Sequence, residues 1–268
     1  MIFLKLFSRR WWLPTVIILL GMAFLVWLGF WQLERLAQRR AFNSRVAAQW
    51  KLEPFNLNRE ALPSDIEGLA YRRVQVQGRF DYANQIVLKN QSFNGTPGVH
   101  LVTPLVLENG QAVLVARGWV PYEQSKPEAW PPLQEPADGP ITGFLQESQT
   151  VAGAELPASP QTEWFRVDVG AIQRQMPYEL LPAFVYWLPE PGRAYSQLPV
   201  REEPIELSEG NHLSYAFQWY IFALILGFGY VQLVRQQERR TASPAATVPL
   251  PNRSDDDQVD LPTLPHQV

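Results

Sequence analysis

The stretch that decides the fold is EGNHLSYAFQWYIFALILGFGYVQLVR, which runs from Glu209 to Arg235. The 25 residues between these two charges carry no formal charge at pH 7. An α-helix rises about 1.5 Å per residue, so a run of this length can cross a hydrocarbon core about 30 Å thick. We therefore predict a transmembrane helix over residues 209–234.

A second uncharged run, WWLPTVIILLGMAFLVWLGFW, occupies the 21 residues from Trp11 to Trp31 and predicts another transmembrane helix. It is too long for the apolar part of an ordinary signal peptide, and no small-x-small cleavage pattern follows it, so we expect an uncleaved anchor. The predicted division of the chain is a cytoplasmic N-terminus (1–10), a first transmembrane helix (11–31), an extracytoplasmic domain (32–208), a second transmembrane helix (209–234) and a disordered cytoplasmic tail (235–268).

The charges around the second run predict its orientation. Glutamates precede it and arginines follow it: Glu202, Glu203, Glu206 and Glu209 on one side, Arg235, Arg239 and Arg240 on the other. Because positive residues are retained in the cytoplasm, we expect both termini there and the central domain outside. The first run begins almost at Met1, which leaves no room for an organellar transit peptide. The expected location is the plasma (inner) membrane of a bacterium, in contact with lipid.

The segment between the two runs is rich in short strand patterns and lacks long helical ones. The predicted strands are Arg72–Phe80, residues 84–90, Val99–Leu107, Gln111–Val120, residues 141–148 and residues 183–189. The pair at 99–107 and 111–120 is the clearest hairpin. Because no long helices separate the strands, we predict a mainly antiparallel β domain, barrel- or sandwich-like, with short helices.

Several single residues carry local predictions. The first transmembrane helix should continue to about Trp50, where Pro54 prevents its extension. Pro104 indicates an edge or bulge position. Asp168 is a candidate N-cap for a short helix ending near residue 176. Gly118 should permit close packing or an unusual backbone angle, with the next residue, a tryptophan, filling the core.

Composition excludes several functional classes. Apart from residues 241–268, which hold one Arg and four Asp, the chain balances 22 basic against 22 acidic residues, so no basic field predicts nucleic-acid binding. The absence of cysteine excludes disulfides, thiolate nucleophiles and cysteine-ligated metal centres. No Gly-x-Ser-x-Gly, P-loop, Gly-x-Gly-x-x-Gly or His-Glu-x-x-His pattern is present. We therefore expect a protein without catalytic activity.

The candidate functional residues lie at the outer end of the second run. His212, Tyr215 and Trp219 occupy positions i, i+3 and i+7, and Phe222 continues their stripe down one helical face. One imidazole above an apolar wall is the type of site that a haem uses; an ordinary interfacial aromatic belt is the alternative. Arg35 and Arg39 follow the first run and predict a basic rim at the same level, or simply snorkelling side chains.

The same residues carry a resemblance to a known family. Leu28–Arg40 (LGFWQLERLAQRR), Val76–Phe80, residues 102–104 (VTP), residues 117–121 (RGWVP) and residues 211–220 (NHLSYAFQWY) resemble, in order, blocks of the Surfeit-locus-one family of cytochrome c oxidase assembly factors, called Shy in yeast. The resemblance implies a non-enzymatic chaperone that assists haem a insertion into oxidase subunit I, with haem a synthase as a second partner. It also implies that His212 is the haem and metal ligand.

Two further classes of function compete with the haem chaperone. A scaffold would stabilise an oxidase assembly intermediate through its domain and helices without touching a cofactor. A two-span sensor is disfavoured, because the sequence offers no output module on the cytoplasmic side.

Overall fold

The computed structural model describes residues 5–63, 66–136, 139–151, 153, 157 and 159–242. Three α-helices have both ends within the described residues: Trp12–Lys51 (α1), Val169–Gln173 (α2) and His212–Ala242 (α3). The chain forms two compact units, one of residues 1–32 with 213–268 and one of residues 33–212. The predicted disordered tail lies outside the described residues from position 243 onward, whereas residues 235–242 continue α3.

In the first unit, α1 and α3 pair in antiparallel directions. The Oγ1 of Thr15 and the hydroxyl of Tyr230 lie 2.6 Å apart, while Gly29, 14 positions further along α1, lies against Tyr220. A Cβ at Gly29 would approach the Tyr220 ring to 2.4 Å, so only glycine permits this contact. The pairing places the beginning of α1 beside the end of α3.

Both helices are long and apolar enough to cross a membrane, and their most apolar 18-residue windows are only 11% buried. Large apolar side chains such as Leu20, Trp27 and Phe228 are more than half exposed. Apolar surface on this scale is unfavourable in water and favourable in lipid. The continuation of α1 to Lys51 confirms the predicted helical extension past the first apolar run.

The second unit is built on nine strands in its described part: Phe55–Asn56 (β1), Arg73–Val76 (β2), Arg79–Phe80 (β3), Ile86–Phe93 (β4), Thr96–Val106 (β5), Ala112–Pro121 (β6), Ile141–Glu147 (β7), Glu163–Trp164 (β8) and Leu180–Trp187 (β9). They form one sheet in the order β1-β2-β7-β9-β6-β5-β4-β8, with β3 also paired to β5. The predicted β5–β6 hairpin is confirmed.

The prediction of a mainly antiparallel sheet holds only in part, because the sheet is mixed. The pairs β1–β2, β4–β8 and β6–β9 are parallel, and the other five pairs are antiparallel. The prediction assumed that parallel neighbours need a long intervening helix. Here the chain from Pro121 to Leu180 returns through short 3₁₀ turns, β7 and α2, which lets β9 insert between β6 and β7.

The predicted strand at Arg72–Phe80 is broken into β2 and β3, and the break closes the sheet. β2 pairs with β7 on one side, and β3, two residues further on, pairs with β5 on the other. The ring β2-β7-β9-β6-β5-β3 is therefore barrel-like. Gly78 lies at the corner, where a Cβ would come within 2.4 Å of the Val106 carbonyl oxygen.

Two apolar clusters lie on the opposite sides of this ring. The interior cluster includes Val115, Leu145 and Val185, which are fully buried and come from three adjacent strands. The outer cluster joins β4, β5, β6 and β9 to α2 through residues such as Ile172 and Phe184. Residues on successive positions of β6 and β9 therefore alternate between two cores.

Two local predictions have different outcomes. The Asp168 carboxylate accepts a hydrogen bond from the Ala171 N–H at 3.1 Å and caps α2, which confirms the predicted N-cap. Pro104 does not lie on an edge strand. β5 pairs with β4 as far as Val102 and with β3 from Leu105, and Pro104 lies between these two pairings. The N–H that proline lacks is therefore not needed for a hydrogen bond between strands at this position.

Candidate functional site

His212 is the first residue of α3 and follows a tight turn. Gly210 adopts a left-handed φ of +65°, which glycine adopts without the steric cost that other residues incur. A Cβ at this position would lie 3.6 Å from Cδ2 and 3.8 Å from Nε2 of His212. The glycine therefore keeps side-chain atoms of residue 210 away from this edge of the imidazole.

Side chains of α1 hold the segment that leads to His212. Arg39 donates from Nη2 to the Glu206 carbonyl and from Nε to the Ser208 carbonyl, each at 3.1 Å. Asn43, one turn further along α1, donates to the same Ser208 carbonyl at 3.1 Å. Because the acceptors are backbone atoms, these contacts fix the path of the chain just before α3.

An ion pair completes this attachment. Arg40 donates from Nε and Nη2 to the two carboxylate oxygens of Glu209, each at 2.8 Å. The pair is solvent-exposed, so its role is geometric: a bidentate contact sets the orientation of the turn three residues before His212.

The two predicted arginines have different described contacts. Arg39 reaches the segment before His212, as described above, and its guanidinium also lies 5.3 Å from the Phe42 ring centroid. Arg35 donates from Nη1 to the Gln38 side chain at 3.1 Å, on its own helix. Of the two, Arg39 is the one whose described hydrogen bonds connect it to the chain leading to the histidine.

The aromatic residues predicted with His212 lie on α3 at the expected helical spacing. Tyr215 and Phe222 are 48% and 41% exposed, an unusual environment for aromatic rings in a water-soluble fold. Trp219 packs edge-to-face against Phe222 with ring centroids 5.9 Å apart. Its indole N–H is buried and has no acceptor among the described residues. This face offers large apolar area and one unused donor.

A buried charge network was missed by the sequence analysis. Glu135 accepts hydrogen bonds from Arg117 at 2.7 Å, Arg193 at 2.8 Å and Arg201 at 2.8 Å, and Arg201 also donates to Glu190 at 3.0 Å. Burial would raise the pKa of Glu135, but Arg201 and Arg117 outweigh it and lower the pKa below its ordinary value. The sequence held one sign of this network, because Arg117 is the single charged residue in the otherwise mainly apolar β6.

The prediction for Gly118 and Trp119 is confirmed. Gly118 has a φ of +136°, and a Cβ there would lie 2.3 Å from the Val200 carbonyl oxygen. Trp119 is 6% exposed, and its N–H and C=O both bond to the backbone of Val200. These residues hold the segment after β9 against β6, which is a folding role.

Comparison with known proteins assigns the chain to a family. The family model described as "SURF1 family" matches residues 19–224. A SURF1-like protein of Rickettsia felis is 25% identical over 226 residues, covering 81% of this chain and 95% of the relative. A SURF1-like protein of Monosiga brevicollis is 28% identical over 244 residues, covering 85% and 88%.

A third relative carries a name that describes a process. The cytochrome oxidase assembly protein SHY1 of Saccharomyces cerevisiae is 29% identical over 118 residues, covering 42% of this chain and 30% of that protein. The family match spans the barrel-like unit, the attached segment before α3 and His212 itself. With more than half of its length matched in one continuous block, the chain belongs to the SURF1 family.

Proposed function

We propose that this protein is an assembly factor for a haem-copper cytochrome c oxidase and that it assists haem a insertion into subunit I. The observation that carries the proposal is the family match over residues 19–224, together with a yeast relative named as a cytochrome oxidase assembly protein. Its role is non-enzymatic: it holds and presents a cofactor or an intermediate. Subunit I and haem a synthase are its proposed partners.

The proposed location is the bacterial inner membrane, with both termini in the cytoplasm and residues 32–208 outside. Support comes from the exposed apolar surfaces of α1 and α3 and from their antiparallel pairing. Antiparallel neighbours that both cross a bilayer return the chain to the side on which it began. Reporter fusions within residues 90–190 test this topology, and activity there of a cytoplasmic reporter alone would overturn it.

We further propose that His212 is the axial ligand of haem a. The residues next to it in sequence suit such a group: Gly210 places no side chain beside the imidazole edge, and Tyr215 and Trp219 follow His212 at one-turn intervals on α3. Haem a, when bound, supplies an iron that takes an imidazole nitrogen as axial ligand. The half-exposed rings provide apolar contacts of the kind that a macrocycle needs.

The propionates of haem need cationic partners, and Arg39 suits this role better than Arg35. A guanidinium has five N–H groups, and the described hydrogen bonds of Arg39 use its Nε and Nη2. Its Nη1 group can donate to a carboxylate while the bonds to the backbone persist. Arg39 would then join the chain path before His212 to a bound anion.

The experiment compares wild type with His212→Ala and, as control, Phe217→Ala, an exposed α3 residue on the helical face opposite the stripe. Each protein is co-expressed with haem a synthesis genes, purified in mild detergent and measured for abundance and for its visible spectrum. The proposal expects a Soret band in wild type and in Phe217→Ala, and a reduced or shifted band at equal protein abundance in His212→Ala.

The alternative function is a cofactor-free scaffold that stabilises an oxidase assembly intermediate. The observation that favours it is the size of the unit formed by residues 33–212, which could contact a partner without any ligand. Absence of a Soret band in wild-type protein that still co-purifies with subunit I would select the scaffold. An unchanged spectrum in His212→Ala would remove this residue as the ligand.

A further inference from the structure

A small cavity in the unit of residues 33–212 is independent of the proposed haem site. Its volume is about 230 Å³, and it lies between the β4–β5 turn, β6 and the segment after β9. Its walls include Phe93, Trp119 and Tyr195, together with His100 and the adjacent glutamates 202 and 203. Drug-sized ligands occupy about 300–1,000 Å³, so this cavity has room for a single side-chain head group.

His100 is a buried polar side chain with unsatisfied hydrogen-bonding capacity. It is 7% exposed, and its Nδ1 has no hydrogen-bond partner in the part of the chain that the structure describes. Its Nε2 lies 3.9 Å from the nearer Glu202 carboxylate oxygen, which is too long for a hydrogen bond. Burial lowers the pKa of His100 to about 4, so the ring is neutral at physiological pH and brings no positive charge to the cavity.

Glu202 and Glu203 face this cavity without a cation within ion-pair distance among the described residues. Burial, and then repulsion from Glu203, raises the pKa of Glu202 above its ordinary value. Arg201 lines the same cavity, but its guanidinium is engaged by Glu135 and Glu190. That network of three arginines and two glutamates leaves one positive charge, and the two cavity glutamates outweigh it.

The aromatic walls suit an organic cation. The Phe93 ring lies 5.4 Å from Trp119 and 5.1 Å from Tyr195 between centroids, and Tyr195 is more than half exposed at the rim. Aromatic faces attract ammonium and guanidinium groups, and adjacent carboxylates add charge complementarity. A bound metal ion is disfavoured, because the described residues contain no group of three or more metal-ligating side chains.

We propose that this cavity binds a guanidinium or alkylammonium group of the kind carried by arginine and lysine side chains, so that a basic side chain of a partner protein docks beside His100 and Glu202. Glu202 and Glu203 would accept its hydrogen bonds, and the rings would cover its apolar stem. The rim of the cavity would then be a protein-binding surface of the domain.

Calorimetric titration of the full-length protein in detergent tests the proposal. The probes are N-acetyl-arginine amide, N-acetyl-lysine amide, choline and the neutral isostere N-acetyl-citrulline amide. The arginine probe should bind at least about tenfold more tightly than citrulline, and Glu202→Gln should weaken it about tenfold, as expected for one charge-assisted hydrogen bond. Glu108→Gln, an exposed acid in the β5–β6 turn, serves as the matched control.

Glu203→Gln is the second variant, because residue 203 is exposed and its replacement leaves the packed core of the domain intact. A loss of arginine binding in both cavity variants, with normal binding in Glu108→Gln, supports the proposal. Equal binding of arginine and citrulline, or equal binding by all three variants, overturns it. Choline binding more tightly than both amino-acid probes would instead assign the cavity to a lipid headgroup and overturn the protein-docking proposal.

Discussion

Replacement of Glu135 by glutamine should destabilise the domain strongly. The carboxylate accepts hydrogen bonds from Arg117 and Arg201, whose side chains are 1% exposed, and from Arg193 at 7%. The amide keeps the shape of the side chain but removes the charge, which leaves the buried guanidinium groups undercompensated. Breaking a buried ion pair on one side costs about 3–5 kcal/mol. Because Glu135 is itself 18% exposed, we expect the free energy of unfolding to fall by an amount at the low end of this range, about 3 kcal/mol.

The assay is differential scanning fluorimetry of the full-length protein in detergent. For a unit the size of residues 33–212, about 3 kcal/mol corresponds to a decrease in Tm of roughly 6–12 °C. Glu163→Gln is the matched control, because Glu163 bonds to Lys89 at 2.8 Å at an exposed site. Exposed pairs contribute little, so this control should change Tm by much less.

The pH dependence supplies a second measurement. The pKa of Glu135 is lower in the folded protein than in the unfolded chain, so its contribution is present above the ordinary carboxyl pKa of about 4.3 and is lost as pH falls through the folded value. The difference in Tm between wild type and Glu135→Gln should therefore be largest near pH 7 and shrink below about pH 4. A Tm decrease no larger than that of Glu163→Gln at pH 7 would refute the reasoning.

Three further predictions concern stability and use the same thermal assay. Gly118→Ala should lower Tm more than Gly110→Ala. Both glycines have positive φ, but a Cβ at Gly118 would meet a carbonyl oxygen at 2.3 Å, whereas a Cβ at Gly110 would meet nothing within 4 Å. Equal decreases in Tm would contradict the close-contact argument. Asp168→Ala should lower the free energy of unfolding by about 1 kcal/mol through loss of the α2 cap. Asp168→Asn should retain most of the stability that the cap provides. His100→Phe should flatten the dependence of Tm on pH between about 6.5 and 4. In this pH range the histidine of the unfolded wild-type chain takes up a proton, whereas the buried imidazole of the folded protein stays neutral. An unchanged slope would contradict that burial effect.

Local signals in the sequence predicted local structure well. Four of these signals depend on neighbours close in sequence or on one residue type. They are the lengths of the two apolar runs, the turn at residues 108–110, the cap at Asp168 and the backbone conformation that requires glycine at position 118. Such signals are determined by steric limits and short-range hydrogen bonds, so they are readable without knowledge of the tertiary fold. The structure bears out the hairpin, the cap and the close approach.

Long-range pairing was not predictable in the same way. β9 lies between β6 and β7, so its place in the sheet depends on strands that are tens of residues away in sequence. The hydrophobic pattern of each strand is compatible with a parallel or an antiparallel neighbour. The break at Gly78 had a local signal, a glycine in an alternating run, but its meaning depends on the approach of the Val106 carbonyl. The partners of Glu135 likewise come from positions 18 to 66 residues away.

The contacts that place His212 differ in kind from those that stabilise the domain. Arg39, Arg40 and Asn43 hold the chain just before α3 through exposed hydrogen bonds, two of these side chains acting on backbone carbonyls. Exposed polar contacts contribute little to the free energy of unfolding, yet they restrict the position of the residues that they bind. Thermal scans should therefore report on the Glu135 network, whereas the visible spectrum of the proposed haem complex would report on the segment before His212. Because the two readouts depend on separate sets of side chains, a variant that lost the proposed haem at unchanged Tm would have its defect in the placement of His212 and not in the fold.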